Sequence, residues 1–297
     1  MPDKKKKRAL GRHARASQLA HLLERGTNDH YLDPLLYDFE YVDQRDDVEW
    51  YCGLADHCGR GKVVLELGAG SGRITIPIAQ EGHSIIALDR MPVMLEHLSA
   101  KVELLAQADE AIAGKIEPRV GQMTDMPVRD ESVGLVIAPF NVLMHLYTWS
   151  DLLTCFREVN RVLEPGGVFG FDVLLPDFDW LRWDPNERHA VTAFQHPRTG
   201  ERMFYSTNHE YDPDTQICHI RIYYDKDVNG RLRPGVEPVE TVHLAHRQIF
   251  PEELRMLLGS TGFEIESHSG DFLDLALTSD VEVQALVCRK SARVSPR

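Results

Sequence analysis

Unbroken hydrophobic stretches are scarce in this chain of 297 residues. The longest nearly apolar run, Val133 to Met144, is interrupted by Pro139 and Asn141. It falls short of the roughly 20 residues that a membrane-spanning helix needs, so no membrane partner is expected. No apolar core of a secretory leader follows the N-terminus. Cysteine is sparse as well: Cys52, Cys58, Cys155, Cys218 and Cys288 are scattered, odd in number and never arranged C-x-x-C. That excludes a disulfide framework, makes a zinc site an unsupported reading and fits a reducing, cytoplasmic setting. Positive charge is in deficit, with 33 Lys and Arg against 46 Asp and Glu and a net charge of -13. Residues 1–25 hold eight of the basic residues against Asp3 and Glu24, which leaves -19 on the remainder. A body that acidic repels phosphate backbones, so a nucleic-acid substrate is not expected. Lys4 to Arg8 reads as part of a solvated, disordered tail over residues 1–27.

What is present is an ordinary globular composition, 43% hydrophobic and 27% charged, with one organising stretch from Lys62 to Arg90. Val63, Val64, Leu65 and Leu67 form a short β-branched run that reads as a buried strand, with Glu66 inside it. Gly68, Gly70 and Gly72 follow at once and predict a sharp turn that a ligand can approach without a Cβ in the way. Ile74, Ile76, Ile78 and Ala79 continue as a helix. Ile85 to Leu88 form a second strand ending on Asp89, about 20 residues beyond the turn, where open α/β folds hold a ribose. A dinucleotide fingerprint wants G-x-G-x-x-G, but Arg73 stands where the third glycine belongs.

The segment Glu-Leu-Gly-Ala-Gly-Ser-Gly-Arg, residues 66–73, resembles the first motif of class I S-adenosylmethionine-dependent methyltransferases. The resemblance implies S-adenosylmethionine as cofactor and S-adenosylhomocysteine as product, with Glu66, Gly68, Ala69, Gly70, Arg73, Asp89 and Arg90 at the cofactor. Beyond Asp89, a helix opened by Pro92 brings Met94 to the adenosine or into the core. Gly121-Gln-Met-Thr-Asp-Met-Pro resembles the family's adenine-edge element, which implies roles for Thr124, Asp125 and Met126; Gln122 replaces the family's first acid. After a fourth strand, Val133 to Ala138, the segment Pro139-Phe140-Asn141-Val-Leu-Met-His145-Leu resembles the methyl-receiving element of glycine and sugar-amine N-methyltransferases. That places Pro139 and Phe140 by the cofactor and assigns Asn141 and His145 to catalysis, with His145 one turn into a helix; a core or capping histidine is the other reading. Leu163-Glu-Pro-Gly-Gly resembles the family's turn before strand 5.

The remaining segments frame this core. The aromatics Tyr31, Tyr37, Phe39 and Tyr41 lie in a segment, residues 28–60, that resembles the lid of small-molecule methyltransferases. Tyr37 or Tyr41 would then stand near the sulfonium, where an aromatic face suits a cation; packing of an N-terminal helix is the alternative. Met203 to Tyr211, Ile217 to Asp225 and Val239 to Ala245 read as antiparallel strands between turn clusters. They form a β cap over residues 176–246, with Tyr31, Trp180, Tyr205, Arg221 and Tyr223 as candidate substrate contacts and His209 as a candidate base. Asp172, Asp177 and Asp179 suggest magnesium, but the catechol-type enzymes' further acid after strand 4 is missing here and no metal is expected; His243-x-x-His246 has no third ligand.

The expected fold class is therefore α/β, a Rossmann-like seven-stranded class I methyltransferase sheet with an antiparallel β cap inserted after strand 5. Its core spans residues 61–175 and closes with residues 247–297, and residues 28–297 form one domain. The expected chemistry is methyl transfer to a small-molecule amine by in-line displacement. An O-methyltransferase acting on a hydroxylated metabolite is the runner-up, followed by a nicotinamide-dependent oxidoreductase and a non-catalytic nucleoside-binding protein. Subunit count stays open, a homodimer included.

Overall fold

The computed structural model describes residues 17–228, 230–231 and 237–291. The first 16 residues of the expected tail lie outside the described residues, and residues 17–28 form helix α1. Along the chain follow α2 (Pro34–Glu40), α3 (Asp46–Cys58), β1 (Val63–Leu67), α4 (Thr75–Gln80), β2 (Ser84–Asp89), α5 (Pro92–Ala106), α6 (Glu110–Ala113), β3 (Ile116–Val120) and β4 (Val133–Ala138). The second half carries α7 (Trp149–Val162), β5 (Leu163–Leu174), β6 (His189–Gln195), β7 (Arg202–Asp212), β8 (Ile217–Lys226), β9 (Glu240–Arg247), α8 (Pro251–Ser260), β10 (Phe263–Gly270) and β11 (Val283–Lys290).

Seven strands form one sheet in the order β10-β11-β5-β4-β1-β2-β3, and β11 runs against both of its neighbours. β1 pairs in parallel with β2 on one side and β4 on the other, so the strand order reverses direction between β1 and β4. In such sheets the crevice for a ligand opens at the carboxyl ends of those two strands. The two-residue period divides the core. Leu65, Leu67, Val136 and Ala138 face one cluster with Phe156, Phe169 and Leu254, whereas Val64, Leu135 and Ile137 face a second with Tyr51, Ile74 and Ile78. At about 25 cal/mol per Å² of apolar surface, these two layers supply most of the drive for folding.

The four strands after β5 make a separate antiparallel sheet, β6-β7-β8-β9. Three of them coincide with the predicted cap. β6 carries no comparable signal because nearly all of its residues are exposed at the sheet edge. The inner face of this sheet, Met203, Ile222, Tyr224 and Val242, closes on Leu36 of α2. The cap thus rests on the N-terminal segment rather than directly on the large sheet. Asp33 caps α2 by accepting from the N–H groups of Leu35 and Leu36.

Thr148 caps α7, accepting from the N–H of Asp151 at 3.1 Å. One local expectation changes. His145 ends a short 3-10 turn, Val142–His145, instead of entering an α-helix, because Phe140 and Asn141 both take left-handed backbone (φ 55 and 63). Among the described residues no helix is long and apolar enough to cross a membrane.

Candidate active site

A cleft opens where β1, β2 and β4 end, the place where ligands bind in open α/β sheets. Its floor is Gly68 and Gly70, one wall is Leu88, Asp89, Arg90, Met91 and Met94, another is Gly121 to Met123, and the far end is Pro139, Phe140, Val142 and His145. Thr27, Tyr31 and Tyr37 of the N-terminal segment form the roof.

Gly68 has φ +67, and a Cβ placed there would stand 2.2 Å from Cγ2 of Val142. Only glycine lets the β1 turn and the β4 turn touch. Asp89 accepts from Gly70 N–H at 2.8 Å and from Met91 N–H at 2.7 Å, which fixes its carboxylate at the cleft wall. Burial pushes its acidity toward the neutral form, and the N–H donors oppose that shift.

Asp172, near the end of β5, organises the far end. It accepts from Tyr51 Oη at 2.6 Å, Phe140 N at 2.7 Å and Asn141 N at 3.0 Å. Left-handed backbone at two consecutive non-glycine residues costs about 1–3 kcal/mol each and persists only where neighbours impose it. Two buried side-chain atoms here have no partner: Asn141 Oδ1 and His145 Nδ1. The other ring nitrogen of His145, Nε2, lies 2.7 Å from Tyr31 Oη. Burial holds His145 well below the usual histidine range, and the neighbouring His246 and His30 add to the shift, so its ring is neutral.

Of the predicted site residues, the cleft brings together Tyr31, Tyr37, Gly68, Gly70, Asp89, Arg90, Met94, Pro139, Phe140 and His145. Asn141 sits between two lining residues. The others need correcting. Glu66 falls on the α3 and α4 side of β1 by the strand's alternation, where Thr75 Oγ1 donates to it and burial raises its pKa to about 8. Ala69 packs under α5 with Leu95 and Leu98. Arg73 pairs with Asp47 and covers Phe140 from behind, 4.5 Å from the ring centre. Tyr41 lies in the same second layer, edge-on to Phe140 and 2.9 Å from His30 Nε2. Gln122 and Met123 line the cleft in place of Thr124, Asp125 and Met126; Asp125 is exposed and Met126 is buried in the core.

The cap candidates miss the cleft too. His209 stacks on Trp180 at 3.8 Å, with its Nε2 2.8 Å from the Trp180 carbonyl. Arg221 donates to Asn208 Oδ1 and the Pro185 carbonyl, and Tyr223 donates to the same Asn208 oxygen. Tyr205 belongs to the apolar packing on Leu36. The cap reaches the cleft's surroundings through β9 instead, where His246 meets His145 edge to face at 5.1 Å. His30 and His246 were not legible as site neighbours, because neither carries a local motif.

The strand order with its reversed last strand, the glycine turn and the carboxylate after β2 are those of the fold of class I S-adenosylmethionine-dependent methyltransferases. Residues 64–167 match the family described as a methyltransferase domain. That match speaks for methyl transfer over the nicotinamide alternative. An uncharacterized methyltransferase of Synechocystis, sll0829, is 30% identical over 125 residues, which cover 42% of this chain and 53% of that protein. The chain spans about half or less of the length of the first curated relatives it matches. Among solved structures it is similar to the CcbJ methyltransferase from Streptomyces caelestis, with a TM-score of 0.66 at 22% identity over 83% of this chain and 96% of that one. It is likewise similar to S-adenosylmethionine-bound CalS10, an amino pentose methyltransferase from Micromonospora echinaspora involved in calicheamicin biosynthesis, with a TM-score of 0.61 at 13% identity over 86% and 96%. These two likenesses are of fold.

The cleft suits the cofactor of this class. Gly68 and Gly70 leave the main chain open to a ligand, the fixed Asp89 carboxylate can take ribose hydroxyls, and Gln122 and Met123 offer an amide and a thioether to a purine. When bound, S-adenosylmethionine supplies an electrophilic methyl on a sulfonium.

Proposed function

We propose that the protein transfers a methyl group from S-adenosylmethionine to a small-molecule amine. The observation that carries the amine reading is the pair of unpartnered buried atoms, Nδ1 of the cleft-lining His145 and Oδ1 of Asn141, which lies between the lining residues Phe140 and Val142. Unpaired buried acceptors are costly, so they call for a donor from the ligand. An amine nitrogen has N–H donors to spare for both, and a hydroxyl has one.

The basicity of His145 points the same way. An alcohol needs its proton removed as it attacks, and an imidazole weakened this far by burial is a poor base for that. A neutral amine is already a nucleophile. With Tyr31 Oη accepting from Nε2–H, Nδ1 is left as an acceptor that orients the amine lone pair toward the methyl. The tyrosine-lined roof excludes water, and the rate comes chiefly from alignment. The cap and N-terminal segment would choose the acceptor; the amino-pentose activity of CalS10 illustrates the substrate class that this fold can serve.

The test is incubation of the purified protein with methyl-labelled S-adenosylmethionine and paired panels of amines and alcohols of matched shape. Label in an N-methyl product is expected. Label in ethers alone would overturn the amine assignment, and failure of S-adenosylhomocysteine to bind would overturn the reading of the cleft.

A further inference from the structure

We infer that Asp172 is a positioning residue that clamps the Phe140–Asn141 turn and so sets the methyl-receiving end of the cleft. This rests on the reading of that cleft given above. Phe140 and Asn141 occupy adjacent left-handed backbone positions, and nothing in their side chains favours this in phenylalanine. Their two N–H groups converge on one carboxylate, at 2.7 and 3.0 Å. An anion held by successive N–H groups is a strong, directional restraint. Tyr51 Oη of α3, packed on the face of the sheet to which Asp172 points, completes the set at 2.6 Å. The turn held this way puts the Phe140 ring in the cleft wall and Asn141 between two lining residues.

The clamp works as a carboxylate and loosens as a carboxylic acid, because protonation turns one accepting oxygen into a donor and removes the charge. Three charged or titratable groups on the neighbouring elements face it: Tyr51 and Asp47 from α3 and Arg73 from the glycine turn. Burial is the largest influence and Asp47 adds to it, while Tyr51 and the two N–H groups pull the other way; the balance raises the acid to about 6. The clamp is therefore closed above that value and opens as pH falls through it.

Amide spectra of the full chain test this without any acceptor. The Phe140 and Asn141 N–H signals should lie downfield above pH 7 and move together upfield with a midpoint near 6. In Asp172→Asn both should sit near their acid positions at every pH. In Tyr51→Phe, which loses one donor, the midpoint should rise by about half a unit to one unit. Amides that fail to titrate in the native protein, or a titration that survives in Asp172→Asn, overturn the proposal. If Asp172→Asn does not fold, an unmoved midpoint in Tyr51→Phe does the same. None of these signals depends on which nucleophile is methylated, so they stand apart from the amine test.

Discussion

Replacing Gly68 by alanine tests how the cofactor turn is built. The added Cβ would stand 2.2 Å from Cγ2 and 3.1 Å from Cβ of Val142, at a backbone φ of +67. Two separable costs follow. The left-handed conformation costs an alanine about 1–2 kcal/mol. Overpacking against the β4 turn adds about 1–3 kcal/mol. Together they predict a loss of roughly 2–5 kcal/mol, which lowers Tm by on the order of 10 °C. S-adenosylhomocysteine binding should weaken as well, since Gly68 and Val142 both line the cleft. The companion change Val142→Ala removes the nearer clashing atom and leaves the conformational cost untouched. The double variant should recover about 1–3 kcal/mol relative to the sum of the single variants, a coupling typical of residues in contact. Urea denaturation of the four proteins measures it, and calorimetry with S-adenosylhomocysteine follows binding. A Gly68→Ala protein within about 1 kcal/mol of native, or strictly additive variants, would refute the argument that glycine is required by the approach of these two turns.

Asp89→Asn keeps the shape of the side chain but removes its charge, and S-adenosylhomocysteine should bind roughly 10- to 100-fold more weakly by calorimetry, the worth of one charge-assisted hydrogen bond. Ala at Asn141 or His145 should lower kcat/KM for the amine about 3- to 10-fold each while leaving S-adenosylhomocysteine affinity within about threefold; a large loss of cofactor affinity would count against their assignment to the acceptor. Glu40 is raised to about 7 by burial, with Tyr224 Oη donating to it. Since the native value lies above the ordinary one, its contribution to stability is complete below the ordinary 4.5 and is lost by the time pH has risen through about 7. Tm of Glu40→Gln should therefore gain on the native protein between pH 5 and 8, and parallel Tm curves would contradict this.

The parts of the fold visible in the sequence are those specified by neighbours along the chain. The run from Val63 to Asp89 is a strand, a turn and a strand whose contacts lie within 30 residues, and the α7 stripe and cap strands β7 to β9 carry clear periodicity. Gly68, Gly70 and Asp89, at the cleft's floor and wall, were readable for the same reason, and so were Asn141 and His145 within their own segment. Their surroundings were not, because these come from segments far apart: Tyr31 meets His145 across 114 residues, and Tyr51 meets Asp172 across 121. Arg221 and Tyr223 look like ligand groups in isolation, but Asn208 on the adjacent strand already engages both. Asp125 and Met126 stand three positions beyond Gln122 and Met123, a shift set by how the loop crosses the end of β3 and invisible to a motif.

Gly26 lies against Ala245 of β9, where a Cβ on it would come within 2.5 Å of the alanine Cβ. Tyr147 Oη ties the same place together, 2.6 Å from Thr27 Oγ1 and 3.3 Å from the Ala245 carbonyl. Anyone building chimeras to redirect this enzyme should accordingly transplant the first helix and the inserted sheet as a single cassette, since a foreign β9 with a larger residue at 245 would collide with the native helix before meeting any new substrate.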